Sequence, residues 1–234
     1  MTDLDYGRFE ALTFDCYGTL VDWEAGILGG LRPLARRLGV DASDDELLEV
    51  YAGFEAAAEA GPYARYRQIL ERCLREVATH YGGTAHGDEI LAFGDSVGDW
   101  PVFDDSAAAL RTLHSRFRLG VITNCDDDLF ARSERRLGTT FDWTITAQSV
   151  GAYKPSLRNF EVALERIALP RERILHVAQS LFHDHVPGKA MGFSTVWIDR
   201  RHDRPGFGAT PPADAVPDAT FPDMASFAAA ATAR

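Results

Sequence analysis

Hydrophobic and polar positions along the chain fall into two textures. Residues 10–14, Glu-Ala-Leu-Thr-Phe, form a short apolar run that ends at Asp15 and reaches Gly18 soon after. Such a run reads as a buried strand that leaves its carboxyl end into a tight loop. From Trp23 to about Val97 the spacing turns helical. Segments 27–38, 44–60 and 64–81 carry the apolar repeat of helices, Ser43 suits an N-cap, and Gly61-Pro62 breaks between the second and third. That stretch holds no good strand candidate, so it reads as a helical insert of roughly 70–75 residues. After Trp100-Pro101 the two periods alternate. Helices are expected at 106–116, 129–137, 158–167 and 187–191, and strands at 117–123, 143–147, 174–177, 194–198 and 219–221. Residues 200–218, rich in Pro, Gly, Asp and Arg, read as a surface loop, and 228–231 as a frayed helix end.

Alternating strands and helices predict βαβ units and a parallel sheet covered on both faces, so the fold class is α/β. Sheet residues stand on both sides of the insert. The core is therefore expected to be discontinuous, 1–21 with 98–234, and the helical domain to occupy 22–97, directly after the first strand.

Composition narrows the functional classes. The chain has 234 residues, 46% of them apolar, which is enough for a sizeable core. Asp and Glu number 35 against 24 Lys and Arg, a net charge of −11. No basic face for nucleic acid is visible. The two lysines are Lys154 and Lys189. The acidic start, Met1 to Asp5, lacks the pattern of a targeting signal, and no run approaches the roughly 20 apolar residues of a membrane span. Three cysteines without paired spacing suit neither a disulfide framework nor a zinc site. A reduced, cytoplasmic protein is expected, and apolar cap helices would make a homodimer plausible.

In open α/β sheets ligands bind at the carboxyl ends of strands. Four such ends carry polar residues: Asp15, Tyr17 and Thr19; Thr123 and Asn124; Lys154 in Gly-Ala-Tyr-Lys-Pro; and Gln179, Ser180, His183 and Asp184. Any one group would pass as a cap or a solvated turn. Together they offer a nucleophile, hydrogen-bond donors, a cation and a second carboxylate to position water.

The run from Asp15 to Asp22, Asp-Cys-Tyr-Gly-Thr-Leu-Val-Asp, resembles the first motif of the haloacid dehalogenase superfamily. Thr123-Asn124, Lys154-Pro155 and the Gln179–Asp184 segment resemble its three later motifs, in order and spacing. The resemblance covers nearly the whole chain. It implies a Rossmann-like parallel-sheet core, with the insert as the superfamily's helical cap. Phosphatases of the superfamily carry a second Asp where Tyr17 stands and a metal-binding Asp where Gln179 stands. A phenol with a pKa near 10 is a poor proton donor at neutral pH, and a hard divalent cation prefers charged oxygen ligands. Both departures point away from magnesium and phosphoryl transfer, and toward the (S)-2-haloacid dehalogenases. No cofactor is implied.

The implied reaction needs neither acid nor metal, because a halide leaves without a proton. Asp15 attacks C2 of a 2-haloacid, displaces halide and forms an aspartyl ester. Water positioned by Asp184 then hydrolyses the ester. Lys154 lowers the pKa of Asp15 and stabilises negative charge in ester hydrolysis, Thr19 orients the Asp15 loop, and Thr123 and Asn124 hydrogen-bond the substrate or the aspartyl oxygens. Cys16, Tyr17, Gln179, Ser180 and His183 complete the expected binding surface, Trp23 is a candidate wall, and backbone N–H groups after Asp15 could cradle a carboxylate. The superfamily's dehalogenases receive halide on a cap arginine. The early cap stretch 48–55 has none, so Arg65, with Arg67, is the substitute expected here. A magnesium-dependent phosphatase, hydrolysis of another carbon-linked leaving group, and a non-catalytic member remain the rival readings.

Overall fold

The computed structural model describes residues 4–204, 206 and 208–233. The acidic start at Met1 to Asp3, read as carrying no targeting signal, lies outside the described residues, as do Pro205 and Phe207 of the expected loop. Six strands form one sheet: β1 (Ala11–Phe14), β2 (Arg118–Thr123), β3 (Trp143–Thr146), β4 (Ile174–Ala178), β5 (Ser194–Ile198) and β6 (Ala219–Phe221). All neighbours pair in parallel, in the order β3-β2-β1-β4-β5-β6. The α/β class and the parallel core are therefore as expected. β1 and β4 are buried along their full length, which explains their unbroken apolar reading. The chain builds outward through β2 and β3 on one side and through β5 and β6 on the other. Between β1 and β4 the direction of winding reverses, and a crevice opens there at the carboxyl edge.

Between β1 and β2 lie α1 (Trp23–Leu38), α2 (Asp44–Glu59), α3 (Tyr66–His80), α4 (Gly87–Asp95) and α5 (Ser106–His114). The first four form the helical insert. Ser43 caps α2 in a reciprocal box with Glu46, as its sequence position suggested. Helix α4 was not expected, because nine residues beginning with Gly87 and including Gly94 give little periodic signal. Gly26 of α1 has a packing reason: a Cβ there would stand 2.3 Å from the Trp100 ring. Helices α6 (Asp127–Leu137), α7 (Ala147–Val150), α8 (Leu157–Ile167), α9 (Val186–Ala190) and α10 (Met224–Thr232) complete the fold. The expected fray at 228–231 is instead part of α10, which is capped by Asp223 and buries Met224, Phe227, Ala228 and Ala231. Among the described residues no helix is long and apolar enough to cross a membrane.

Core residues latch the insert down. Asp126, fully buried at the start of α6, accepts the Tyr66 and Arg67 backbone N–H groups at 3.0 and 3.1 Å. A core carboxylate thus caps the exposed N–H groups and positive dipole end of α3. Tyr153 Oη donates to the Ala64 carbonyl at 2.8 Å, and Arg67 reaches Asp128 at 2.9 Å.

Candidate active site

Asp15 is the first residue beyond β1, and its backbone N–H still pairs with the Val177 carbonyl of β4. The chain then turns sharply at Gly18, whose φ of +96° suits glycine and where a Cβ would stand 3.1 Å from both Trp23 Nε1 and Gln179 Oε1. Among the described residues, no acceptor meets the backbone N–H groups of Cys16 and Tyr17. Thr19 returns to Asp15: its hydroxyl donates to Oδ2 at 2.8 Å and accepts the Gln179 N–H at 2.9 Å.

Lys154 comes from the loop before α8, next to a cis peptide bond to Pro155. Its ammonium, 1% exposed, donates to Asp15 Oδ1 at 2.8 Å, Asp184 Oδ1 at 2.7 Å and the Ile122 carbonyl at 2.9 Å. Burial alone would depress this lysine, but the two carboxylates more than offset it, and its pKa is pushed up to about 12. Asp184 is supplied by a π-helical turn, Leu181–His185, whose Ser180 cap accepts the His183 N–H at 2.9 Å. Burial pushes Asp184 upward, yet Lys154 and the bond to His176 Nε2 at 2.9 Å outweigh it, so its pKa lies below the usual carboxylate range. Thr13 in turn contacts His176 Nδ1 at 2.9 Å. Asp184 Oδ2 is buried without a partner among the described residues. In Asp15 burial prevails over the pull of Lys154 and Thr19, and its pKa lies above the usual value.

These groups floor a cavity of about 30 Å³, lined also by Tyr17, Asn124, Ser180 and His183. The insert supplies the ceiling: Trp23, Glu55, Glu59 and Tyr66. Tyr51 and Tyr66 hydroxyls donate to Glu55 Oε1 at 2.7 and 2.8 Å. Burial nevertheless raises the Glu55 pKa to about 7. Glu59 takes hydrogen bonds of 3.3 and 3.2 Å from Asn124 Nδ2, and burial carries its pKa well above the usual range. Burial also holds His183 neutral, with its pKa lowered to about 4. Glu59, Lys154 and His183 line a second, wider cleft of about 390 Å³ as well, beside Tyr63, Tyr153 and Phe182.

The structure thus brings together Asp15, Tyr17, Asn124, Lys154, Ser180, His183 and Asp184, with Thr19 one hydrogen bond behind. Four expected residues are elsewhere. Arg65 is exposed ahead of α3 and does not line the cavity, because the α2–α3 turn carries it outward. Cys16 is wholly buried among core side chains, since the residue after Asp15 points to the opposite side. Thr123 is buried at the end of β2, outside the cavity lining. Gln179 turns to the other side of the Asp15 loop, where its Oε1 accepts from Thr210 at 3.3 Å. The reading missed Glu55 and Glu59. Their signal was a carboxylate one turn beyond Tyr51 on the otherwise apolar stripe of α2.

The donor set does not fit the magnesium ion of the related phosphatases. Gln179 is turned away, Asp15 and Asp184 share the Lys154 ammonium, and among the described residues no three His, Cys, Asp or Glu side chains form a metal-binding group. Tyr17 Oη sits with Ser133 at 3.0 Å and Cys125 at 3.3 Å, and burial lifts its pKa further above its ordinary value.

Comparison with known proteins finds both dehalogenases and a nucleotidase, the pyrimidine 5'-nucleotidase YjjG of Escherichia coli, which is 28% identical over 109 residues, 45% of this chain and 48% of its own. The family profile described as a haloacid dehalogenase-like hydrolase matches residues 9–184. The (S)-2-haloacid dehalogenase H-109 of Pseudomonas putida is 25% identical over 202 residues, spanning 82% of this chain and 86% of its own. The crystal structure of the L-2-haloacid dehalogenase RSc1362 superposes with a TM-score of 0.79 at 20% identity, covering 96% of this chain and 99% of that one. The L-2-haloacid dehalogenase from Xanthobacter autotrophicus, with chloropropionic acid covalently bound, gives 0.76 at 16% identity, covering 94% and 97%.

Proposed function

The chain belongs to the haloacid dehalogenase-like hydrolases, and from that membership we propose that it hydrolyses short 2-haloalkanoic acids to 2-hydroxy acids without a metal. One observation carries the reading. A single buried ammonium holds two carboxylates, Asp15 and Asp184, in a water-sized cavity, and the proton donor of a phosphatase is replaced by Tyr17.

The geometry supports the following steps. Asp15, oriented by Thr19 and Lys154, attacks C2 in line. The C–O bond forms, the carbon–halogen bond breaks with its electron pair on the halide, and the carbon inverts. The N–H groups of Cys16 and Tyr17, unpartnered among the described residues, would receive the substrate carboxylate. Water held by Asp184 Oδ2 then adds to the Asp15 acyl carbon. Lys154 stabilises the resulting oxyanion, and the alcohol leaves with a water proton while the second proton passes to solvent. The overall balance is haloacid plus water to hydroxy acid, halide and a proton. The names of the relatives support this substrate class.

The experiment is halide release from chloroacetate, fluoroacetate and both enantiomers of 2-chloropropionate in EDTA, beside a phosphate-ester panel with magnesium. Release that survives EDTA and disappears in Asp15→Asn is the expected result. Phosphate release that requires magnesium would replace this reading with a phosphatase.

A further inference from the structure

The cavity has an acidic ceiling where an anionic leaving group must depart. In-line displacement sends the leaving atom away from Asp15, across the cavity and onto the surface formed by Trp23, Glu55, Glu59 and Tyr66. Among the described residues, Lys154 is the lone cation lining the cavity, and its three bonds already go to Asp15, Asp184 and Ile122. Two other donors on that side are committed. Tyr66 Oη donates to Glu55. Asn124 Nδ2 serves Glu59 and the Lys154 carbonyl. The Trp23 N–H stands on the Gly18–Gln179 side of its ring.

Glu59 remains. The bond from Asn124 accounts for an acceptor lone pair of its carboxyl, and His183 Nε2, at 3.7 Å from Oε2, is beyond hydrogen-bond reach. An O–H on Glu59 therefore meets no acceptor among the described residues. Glu59 also stands where the cavity meets the wider cleft, so a halide received there has a way out.

We propose that Glu59 is a catalytic residue that, as a neutral carboxylic acid, hydrogen-bonds the departing halide in the place of a cap cation. The inference rests on the dehalogenase reading and extends it. In the first step the carbon–halogen electron pair moves to the halide, and the Glu59 O–H donates a hydrogen bond to it without transferring the proton. The halide then leaves through the cleft, and Glu59 is unchanged. A carboxylate could not serve, because it would repel the halide. Activity must therefore fall as pH rises and Glu59 ionises. The titratable groups that face Glu59 are Glu55 on its own helix, Tyr66 and Cys73 on α3, Tyr153 and Lys154 in the loop before α8, and His183 in the π turn. Of these, Glu55 opposes ionisation of Glu59 and Lys154 favours it.

The test compares wild type, Glu59→Gln and Glu59→Leu on 2-chloro- and 2-bromopropionate across pH, with bromide binding read separately by quenching of tryptophan fluorescence. Gln keeps a donor and loses the titration. It is expected to hold kcat within about threefold and, measured in a Glu55→Gln background so that Glu55 does not titrate, to abolish the alkaline fall. Leu removes the donor, and kcat for chloride should drop about ten- to a hundredfold. Bromide, the better leaving group, should suffer less. A merely structural role would lower both halides equally, and that outcome overturns the proposal, as does an alkaline fall that persists in Glu59→Gln when Glu55 is also Gln. If wild type releases no halide, the dehalogenase reading fails. Bromide affinity then judges Glu59 alone: at least a tenfold loss in Leu but not Gln upholds its halide contact, and equal affinities overturn it.

Discussion

Replacing Lys154 by Met keeps most of the side-chain volume and removes the charge that joins two buried carboxylates. Asp15 and Asp184 are then left beside each other, 5% and 0% exposed, with no lysine or arginine within hydrogen-bond reach among the described residues. Breaking a buried ion pair from one side costs about 3–5 kcal/mol. A domain's whole stability is roughly 5–15 kcal/mol, so the variant should be marginal at neutral pH. The pH dependence carries the sign. In wild type the pKa of Asp184 is depressed, so it contributes stability that is present above its unfolded value of 3.8 and lost as pH falls through the lower folded value. In the variant both carboxylates are pushed up by burial and mutual repulsion. Their folded pKa values then exceed the unfolded ones, and stability is lost as pH rises. The gap between the two proteins should accordingly widen from acid toward neutral pH. Urea unfolding at pH 4.5 and 7.5 measures it. A deficit below about 1 kcal/mol at pH 7.5, or one equal at both pH values, would refute the electrostatic account of this centre.

Two further perturbations test other parts of the structure. Asp126→Ala leaves the start of α3 without its core cap, which is worth about 1–2 kcal/mol; hydrogen exchange at Tyr66 and Arg67 should quicken, while amides in β1 stay protected. Glu55→Gln removes a buried carboxyl raised from 4.5 to about 7. Because a raised acid destabilises the fold as pH climbs, the variant should gain about 3 kcal/mol on wild type between pH 4.5 and 8, at ~1.36 kcal/mol for each pH unit. Equal slopes in thermal or urea unfolding against pH would contradict that assignment.

The centre of the sheet was legible in the sequence because its strands are short, buried and flanked by turn residues, as in 10–14 before Asp15 and 174–177 before Gln179. The floor of the site was legible for the same reason: residues at strand ends converge by topology alone. The ceiling was not, because what a cap helix presents depends on how its domain sits on the core. Glu55 and Glu59 look like ordinary surface acids on a helix, and only packing against Tyr51, Tyr66 and Asn124 shows them facing Asp15. Arg65 shows the opposite error, a cation near the right position in sequence but on the wrong side of the turn. His176 is the other anchor that went unseen. A histidine inside an apolar strand signals a buried partner, and here the partners are Thr13 and Asp184.

The most direct test of the central claim, attack by Asp15 on carbon, is a single turnover in oxygen-18 water with enzyme in excess. Ester formation on Asp15 transfers an existing carboxylate oxygen to the product. The account predicts unlabelled hydroxy acid and one heavy oxygen in the peptide containing Asp15, read by mass spectrometry. Label in the product's hydroxyl group with an unlabelled Asp15 peptide would mean that water attacks the substrate directly, and would contradict the account.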